Sequence, residues 1–388
     1  MRVYITTQGS KIVKEGDRLL VKKDNDVFHT MFIHKVKQII IFGNVTITSP
    51  ARRAIFKENI DTVFLSKDGR YIGRYMLEES KNFFLRKKQF DLLDDKDFPL
   101  NMSRWIVKAK LMSMSNMLMR ISRTKGKHQC KNSARDIKSL MEKIDSTDNI
   151  DSVRGYEGKG SSIYFSCLNE GFTEDYGFRK RVRRPPTDPV NSVLSLLYTF
   201  LFNRVYSAVR AANLDPFVGN LHMPDYGRYA LVMDLMEEFR VIVVDTLCLS
   251  LFNLGILKKD HFIQVRPDED TEKGEEQDKD LEMDKVINDK FGLMMAGDSS
   301  EFFDVAPQRF SEDGIDINRD GKGKLPVRLT KDALKKVIQA FEKKLQTEFY
   351  YEPLDRKITY EKAIFEQAKH YRKVVEQEIK TYIPLVLK

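Results

Sequence analysis

The spacing of apolar residues changes between the first 75 residues of the chain and the residues after about 100. Early apolar runs such as Val3–Ile5 and Ile39–Ile41 are short, and turns rich in Gly, Asp and Asn separate them, which is typical of β-strands. After residue 100 the apolar residues recur at helical spacing, as in residues 330–350 behind the predicted capping residue Thr330. We predict an α+β fold: a small N-terminal β-rich domain, a sheet with one helix, followed by a larger all-α domain.

The same patterns set the predicted domain boundaries. The N-terminal β-rich domain spans residues 1–82, and a linker with an acidic cluster spans residues 83–100. The α-helical domain spans residues 101–388. Within it, residues 264–325 are first acidic and then rich in Gly and Asp, so we expect a surface insertion there.

The net charge of +9 understates how basic most of the chain is. Residues 266–285 carry ten carboxylates against four basic side chains, which leaves about +15 on the rest of the chain. A surface of this sign attracts nucleic-acid phosphates, because each neutralised phosphate releases condensed counterions. Charge alone fits equally well with a soluble basic protein that binds no nucleic acid.

The chain carries no pattern that would direct it to a membrane or out of the cell. No run of 18 or more apolar residues occurs, and the N-terminus lacks the order of a signal peptide, so we expect a soluble, cytoplasmic protein. Its three cysteines, Cys130, Cys167 and Cys248, are widely spaced and form no CxxC pair. We therefore expect reduced structural thiols and no zinc site.

A helix that begins near Tyr229 carries the most informative polar pattern. At 100° per residue its carboxylates Asp234, Glu237, Glu238 and Asp245 fall within one sector about 100° wide. Apolar side chains fill most of the remaining surface, so this helix is predicted to be largely buried. Its carboxylates then face either a narrow strip of solvent or a cationic group, because a buried carboxylate without a partner costs several kcal/mol.

Two further segments carry candidate ligands. His222 lies in a loop just ahead of this helix, where Pro224 and Gly227 fix a turn. A loop histidine beside helical carboxylates gives mixed nitrogen and oxygen ligands, which suit Mn²⁺ or Mg²⁺ better than zinc, although a lone histidine is more often structural. Glu157 lies close to glycines on both sides, where the backbone can approach a ligand, although such a residue is usually part of a turn.

Residues 178–191, FRKRVRRPPTDPVN, form a basic loop that ends at a predicted helix start. Guanidinium groups in such a loop suit phosphate binding, and a solvated basic loop is the alternative. Residues 316–321 match the first half of a calcium-binding loop, but Val327 stands at the twelfth position, where a bidentate Glu is required. We therefore expect no calcium site.

Several segments, in order along the chain, are similar to one known family. They are VTITSPARRAI with DTVFLSKDGRYIGR, RGYEGKGSSIYF, RRPPTDPVNSVLSLLY and NLDPFVGNLHMPDYGRYALVMDLMEEFR. Each is short, but in this order they resemble CRISPR-associated protein 1, the integrase subunit that inserts new spacers into CRISPR arrays. The resemblance covers nearly the whole chain except about residues 264–325, which make the chain longer than the family leads us to expect.

The resemblance, carried over by position, implies that the helical domain is the catalytic domain. It also implies a site for Mg²⁺ or Mn²⁺ in that domain. The implied metal ligands are Glu157, His222 and Glu237, with Asp234 as a supporting ligand. The residues that we expect to bind DNA phosphates are Arg183, Arg184 and Arg228.

The resemblance also implies partners and a reaction. The N-terminal domain would form a homodimer, and one dimer of CRISPR-associated protein 2 would bridge two such dimers on double-stranded prespacer DNA and CRISPR repeat DNA. The implied reaction is transesterification, in which a 3′-hydroxyl of the incoming DNA attacks a repeat phosphodiester. A structure-specific nuclease that acts on branched DNA in repair and a non-catalytic DNA scaffold are the alternatives.

Overall fold

The computed structural model describes residues 1–24, 26–75, 82–182, 185–264 and 325–387. These residues form two compact units, which divide between residues 79 and 80. No helix within these ranges is both long and apolar enough to cross a membrane. The predicted insertion at residues 264–325 and the rejected calcium loop at residues 316–321 lie outside the described residues, except for the two ends of the insertion.

The N-terminal unit contains two four-stranded sheets and one α-helix. The first sheet has the order β1 (Arg2–Ile5), β5 (Gln38–Phe42), β7 (Asp61–Leu65) and β8 (Tyr71–Arg74). Its first three strands are parallel, and β8 is antiparallel to β7. The second sheet has the order β4 (Asp26–Phe32), β3 (Arg18–Lys23), β2 (Ser10–Glu15) and β6 (Val45–Ile47). In it, β6 is parallel to β2 and the other neighbours are antiparallel.

Burial in this unit follows the apolar pattern of the strands. All five residues of β5 are buried, which is typical of a strand in a parallel sheet whose two faces are both covered. The helix α1 (Ser49–Lys57) joins β6 to β7 in the chain and buries Ala51, Ala54 and Ile55. The predicted β-rich region with one helix is confirmed, but its strands form two sheets instead of one, because a strand pattern does not specify which neighbour a strand pairs with.

The C-terminal unit is mostly helical. Its helices are α2 (Phe83–Asp91), α3 (Phe98–Lys125), α4 (His128–Asp145), α5 (Ile150–Leu168), α6 (Pro189–Ala211), α7 (Ala230–Phe239), α8 (Thr246–Asn253), α9 (Lys331–Leu345) and α10 (Tyr360–Val375). A π-helical turn, Arg240–Asp245, joins α7 to α8. Thr330 caps α9 by accepting a hydrogen bond from the backbone of Ala333, as predicted.

The prediction that this region is all-α is corrected by two small antiparallel sheets. One pairs β9 (Phe262–Gln264) with β10 (Val327–Leu329), and the other pairs β11 (Glu348–Tyr351) with β12 (Arg356–Thr359). Strands of three or four residues are too short to show a clear alternation in the sequence. The range predicted as a linker, residues 83–100, contains α2 and the start of α3.

In this unit α3 packs against both α5 and α7, and this packing sets the position of the candidate site. Gly160 of α5 faces Leu111 of α3, and a Cβ at residue 160 would lie only 2.2 Å from a methyl group of that leucine. The glycine therefore lets α5 approach α3. All ten residues of α7 are buried, so each of its carboxylates needs a partner inside the protein.

Candidate active site

Glu157 lies in the middle of α5, and its backbone is helical. The glycines around it, which indicated a turn in the sequence, include Gly160, which serves helix packing as described above. Helical geometry directs the Glu157 side chain toward α3, where its Oε1 contacts Nζ of Lys110. The same oxygen accepts a hydrogen bond of 2.7 Å from Ser161.

His222 lies in the loop between α6 and α7, and its imidazole is buried at 8% exposure. Asp234 of α7 holds this loop, because its carboxylate accepts backbone N–H groups from Asn220, Leu221 and His222 at 2.5–3.0 Å. The carboxylate also lies 2.8 Å from Nδ1 of His222. A carboxylate can only accept there, so Nδ1 carries a proton, and in the neutral imidazole Nε2 is the nitrogen with the free electron pair.

The imidazole of His222 turns its Nε2 toward Glu237, and the distance from Nε2 to Oε1 is 3.9 Å. Glu237 is 2% exposed. Arg240 lies 3.0 Å from Oε1 of Glu237, and Lys110 lies 2.7 Å from Oε2. Oε2 nevertheless receives no well-directed hydrogen bond from the described residues, so Lys110 reaches it as an ion pair.

The buried cluster consists of Glu157, His222, Glu237, Lys110 and Arg240, and its opposite charges stabilise one another. Burial alone would raise the pKa of Glu157, but Lys110 and Ser161 outweigh it and lower that pKa to about 2. Burial alone would likewise lower the pKa of Lys110, but Glu157 and Glu237 raise it above its usual value. Glu157 is therefore ionised and Lys110 is charged at neutral pH.

The structure thus brings together the three predicted ligands, which are far apart in the sequence. Glu157 and Glu237 meet at the ammonium of Lys110, and His222 faces Glu237. Among the described residues, however, no three His, Cys, Asp or Glu side chains are already arranged to hold a metal ion. Asp234, predicted as a supporting ligand, instead uses its oxygens on backbone N–H groups and on His222.

The other predicted residues are the three arginines proposed to bind DNA. Arg183 and Arg184 lie outside the described residues. Arg228 is partly buried in the loop that follows His222, and its guanidinium donates to the carbonyl of Met223 at 3.2 Å. The structure therefore adds no contact that tests the predicted role of these arginines on DNA.

Sequence reasoning missed two cations at the site, Lys110 and Arg240. Lys110 occupies the buried face of α3 between Ile106 and Met114, so a lysine inside an apolar stripe was the available indication. Arg240 directly follows α7 and stacks on Tyr198, with its guanidinium carbon 5.2 Å from the ring centre. Together they supply the cationic partners that the buried carboxylates require.

The remaining carboxylates of this helix have structural partners. Glu238 accepts hydrogen bonds from Gln367, Tyr382 and the backbone of Leu385. Asp245 accepts from the hydroxyls of Tyr164 and Tyr198. The alternative of a solvated polar face is therefore wrong, because every carboxylate on this helix is buried.

Several solved structures share this fold. A casposase bound to integration product has a TM-score of 0.76 and 18% identity, and the match covers 100% of this chain and 94% of that one. A Cas1 protein from Thermotoga maritima has a TM-score of 0.70 and 18% identity, and the match covers 97% and 96%. A chain of a Cas6-RT-Cas1–Cas2 complex has a TM-score of 0.76 and 20% identity, covering 100% of this chain and 36% of that chain. These likenesses establish the fold.

Sequence comparison identifies the family. Residues 3–269 match the family model for CRISPR associated protein Cas1. CRISPR-associated endonuclease Cas1 4 of Methanospirillum hungatei is 31% identical over 267 residues, which cover 68% of this chain and 73% of that protein. CRISPR-associated endonuclease Cas1 2 of Rhodospirillum rubrum is 31% identical over 271 residues, which cover 67% and 78%. The family predicted from the sequence is confirmed, and the chain belongs to the CRISPR-associated protein Cas1 family.

Proposed function

We propose that this chain is a metal-dependent DNA endonuclease and integrase that inserts short foreign DNA into a CRISPR array by transesterification. The observation that carries the proposal is the buried cluster in which Glu157 and Glu237 share one cation and His222 faces it from the loop. The names of the curated relatives, which call them endonucleases, support nuclease chemistry. The casposase of the same fold, which was solved with an integration product, supports strand transfer.

The residues of the cluster fit Mg²⁺ or Mn²⁺. Two carboxylates and one imidazole nitrogen form a donor set that such ions accept, and Oε2 of Glu237 lacks a directed hydrogen bond from the described residues. Glu157, His222 and Glu237 would hold the ion. When bound, it would neutralise charge on the five-coordinate phosphorus and favour the alkoxide form of the attacking hydroxyl.

The residues around these donors keep the donors in position. Asp234 fixes the tautomer and the ring orientation of His222 through Nδ1. Arg240 holds one oxygen of Glu237 in place. Because all of these side chains are largely buried, little water reaches the ligands, which strengthens every charge interaction in the cluster.

The partners are part of the same proposal. We infer a homodimer, bridged to a second one by a dimer of CRISPR-associated protein 2, on prespacer and repeat DNA. One solved structure of this fold is a complex of Cas1 with Cas2, which supports that partner. Arg183, Arg184 and Arg228 are proposed to contact the DNA phosphates, as guanidinium groups commonly do.

One assay distinguishes this proposal from its alternatives. A labelled duplex with 3′-hydroxyl ends is incubated with a supercoiled repeat plasmid, the chain, its partner and Mn²⁺. Label joined to the plasmid supports the integrase, cut DNA without joining supports a nuclease on branched DNA, and intact DNA supports a non-catalytic scaffold. Replacing His222 by Ala, or Glu237 by Gln, is expected to abolish joining and leave DNA binding nearly intact.

The matched control for these variants is Glu142→Gln. Glu142 is an exposed carboxylate on α4, away from the cluster, so its replacement should leave joining unchanged. Full metal-dependent joining by either His222→Ala or Glu237→Gln contradicts the proposed site.

A further inference from the structure

The ammonium group of Lys110 is shared by two of the proposed metal ligands, Glu157 and Glu237. It lies on α3 and is 4% exposed. Its Nζ contacts Oε1 of Glu157 and lies 2.7 Å from Oε2 of Glu237. The carboxylates reach this point from α5 and α7, so one ammonium ties together three helices.

The ammonium of Lys110 offsets the electrostatic repulsion between the carboxylates of Glu157 and Glu237. Two negative charges held side by side away from water repel each other strongly, because little solvent screens them. Arg240 offsets part of this repulsion through its ion pair with Glu237. Lys110 contacts both carboxylates at once, so its single positive charge lies between them and lowers their mutual repulsion.

A divalent metal ion held by the proposed ligands needs oxygens of the same two carboxylates. Mg²⁺ binds carboxylate oxygen at about 2.1 Å, and an ion at that distance from both carboxylates would lie within a few ångströms of Nζ. Like charges that close repel strongly in a poorly screened interior. The ion can therefore enter only when Nζ of Lys110 leaves at least one carboxylate.

We propose that Lys110 is an internal counter-ion that occupies the shared point of Glu157 and Glu237 until a divalent cation displaces it. Lys110 thereby keeps the ligands assembled when no ion is bound, and it lowers the affinity of the site for the ion. The proposal rests on the proposed metal site. A lysine suits this role because its flexible four-carbon stem lets the charge move while α3 stays in place.

The test uses the full-length chain and measures Mn²⁺ binding by calorimetry, without DNA. Lys110→Met removes the charge and keeps the length of the side chain. We expect it to bind Mn²⁺ at least about tenfold more tightly than the wild type, because the competing charge is gone. Its melting temperature in EDTA should fall, and Mn²⁺ should raise it by more than in the wild type.

The matched control is Lys108→Met. Lys108 lies on the same helix, is partly exposed and pairs with Asp145 at 2.7 Å, outside the site. It should bind Mn²⁺ as the wild type does. Mn²⁺ affinity that is unchanged or weaker in Lys110→Met than in the wild type overturns the counter-ion role.

The folding of Lys110→Met and the Mn²⁺ binding of the wild type also bear on the proposal. If Lys110→Met folds only when Mn²⁺ is present, the proposal is supported, because the ion then replaces the missing ammonium. If it folds under neither condition, Lys110→Gln, which stays polar but uncharged, must bind Mn²⁺ more tightly than the wild type. If the wild type itself binds no Mn²⁺, the proposed metal site fails first, whereas binding by the wild type with no gain in the variants defeats only the role of Lys110.

Discussion

Asp234 accepts both the backbone N–H and the ring Nδ1–H of His222, at 2.9 and 2.8 Å. One carboxylate therefore fixes the position of the loop and the tautomer of the imidazole. With a proton on Nδ1, the neutral form of the ring has its free electron pair on Nε2, which faces Glu237. A carboxylate behind a ligating histidine orients the ring and makes it a better donor.

Replacing Asp234 by Asn should weaken metal binding without removing a ligand. The amide keeps only one acceptor oxygen, so it cannot serve all the N–H groups that Asp234 now serves, and the ring of His222 loses its charged partner. We expect Mn²⁺ affinity to fall by about 10- to 100-fold. Calorimetric titration of the full-length chain measures this directly.

The control for that variant is Asp188→Asn at the start of α6. Asp188 is also buried and also accepts a backbone N–H, from Asn191 at 2.8 Å, but it lies outside the cluster. It should cost stability without changing Mn²⁺ affinity. Equal Mn²⁺ affinity in Asp234→Asn and the wild type would show that His222 needs no orientation.

Gly219 lets the loop that carries His222 lie directly on the first turn of α7. A Cβ at this position would lie 2.5 Å from the backbone carbon of Ala230 and 2.7 Å from the backbone nitrogen of Leu231. Backbone atoms cannot rotate away as a side chain can. Gly219→Ala should therefore destabilise the protein by about 1–3 kcal/mol and displace His222, which urea unfolding and the strand-transfer assay would detect.

Gly155 provides the opposite case on α5. It is exposed, and a Cβ there would meet nothing within 4 Å. Gly155→Ala should raise the free energy of unfolding by about 0.5–1 kcal/mol, because glycine loses more backbone entropy in a helix than alanine does. If Gly219→Ala were as stable as the wild type, or gained stability as Gly155→Ala should, close approach at Gly219 would not be the reason for its glycine.

The glycines of α5 also show which part of the candidate site could not be predicted from the sequence. Carboxylates spaced at 100° on an apolar helix identified α7 and, with His222 ahead of it, most of the candidate site. The glycines near Glu157 are typical of a turn, which was the alternative to a ligand position, whereas in the structure α5 is helical there and Gly160 lets it pack against Leu111. That choice depends on a contact between distant parts of the chain, which local preferences do not contain.

Lys110 is a second case in which the sequence shows a residue but not its contacts. Its position within the apolar stripe of α3 was visible in the sequence, and a charged residue there must find a partner. The pattern could not say which partner, since Glu157 and Glu237 come from other helices. Likewise, the sector that contains Glu237 also contains Glu238 and Asp245, and only the fold shows that these two bind tyrosines.

Tyr382 should anchor the C-terminal tail to α7. Its hydroxyl donates to Glu238, which also accepts the backbone N–H of Leu385 at 2.7 Å. Tyr382→Phe leaves a buried carboxylate with one donor fewer, which typically costs about 1–3 kcal/mol. We expect a lower melting temperature and faster limited proteolysis within residues 379–387.

Tyr350→Phe makes the same chemical change at an exposed position. The hydroxyl of Tyr350 bonds Asp355 at the surface, where water can replace the lost donor. Stability and proteolysis should stay close to the wild type. A Tyr382→Phe protein as resistant as Tyr350→Phe would mean that the hydroxyl of Tyr382 does not hold the tail.

Asp245 should make the free energy of unfolding depend on pH between about 4 and 6. Replacing Asp245 by Asn should remove this dependence. Burial raises its pKa from the usual 3.8 to about 6, although Tyr198 and Tyr164 donate to it. Between these two values the folded protein keeps a proton that the unfolded chain releases, so this carboxylate makes the folded state less stable as pH rises from about 4 to 6. Above that window both states are ionised and the contribution is constant.

The amide side chain of the Asp245→Asn variant does not titrate between pH 4 and pH 7. The free energy of unfolding of the variant, relative to the wild type, should therefore rise by up to about 3 kcal/mol between pH 4 and pH 6 and stay level above pH 7. Urea unfolding in EDTA at pH 4, 5, 6 and 7 measures the difference, and other titrating groups cancel because both proteins share them. Parallel curves across this range would mean that the Asp245 carboxylate ionises in the folded protein as readily as in the unfolded chain, with its two tyrosine hydroxyls offsetting the full cost of burial.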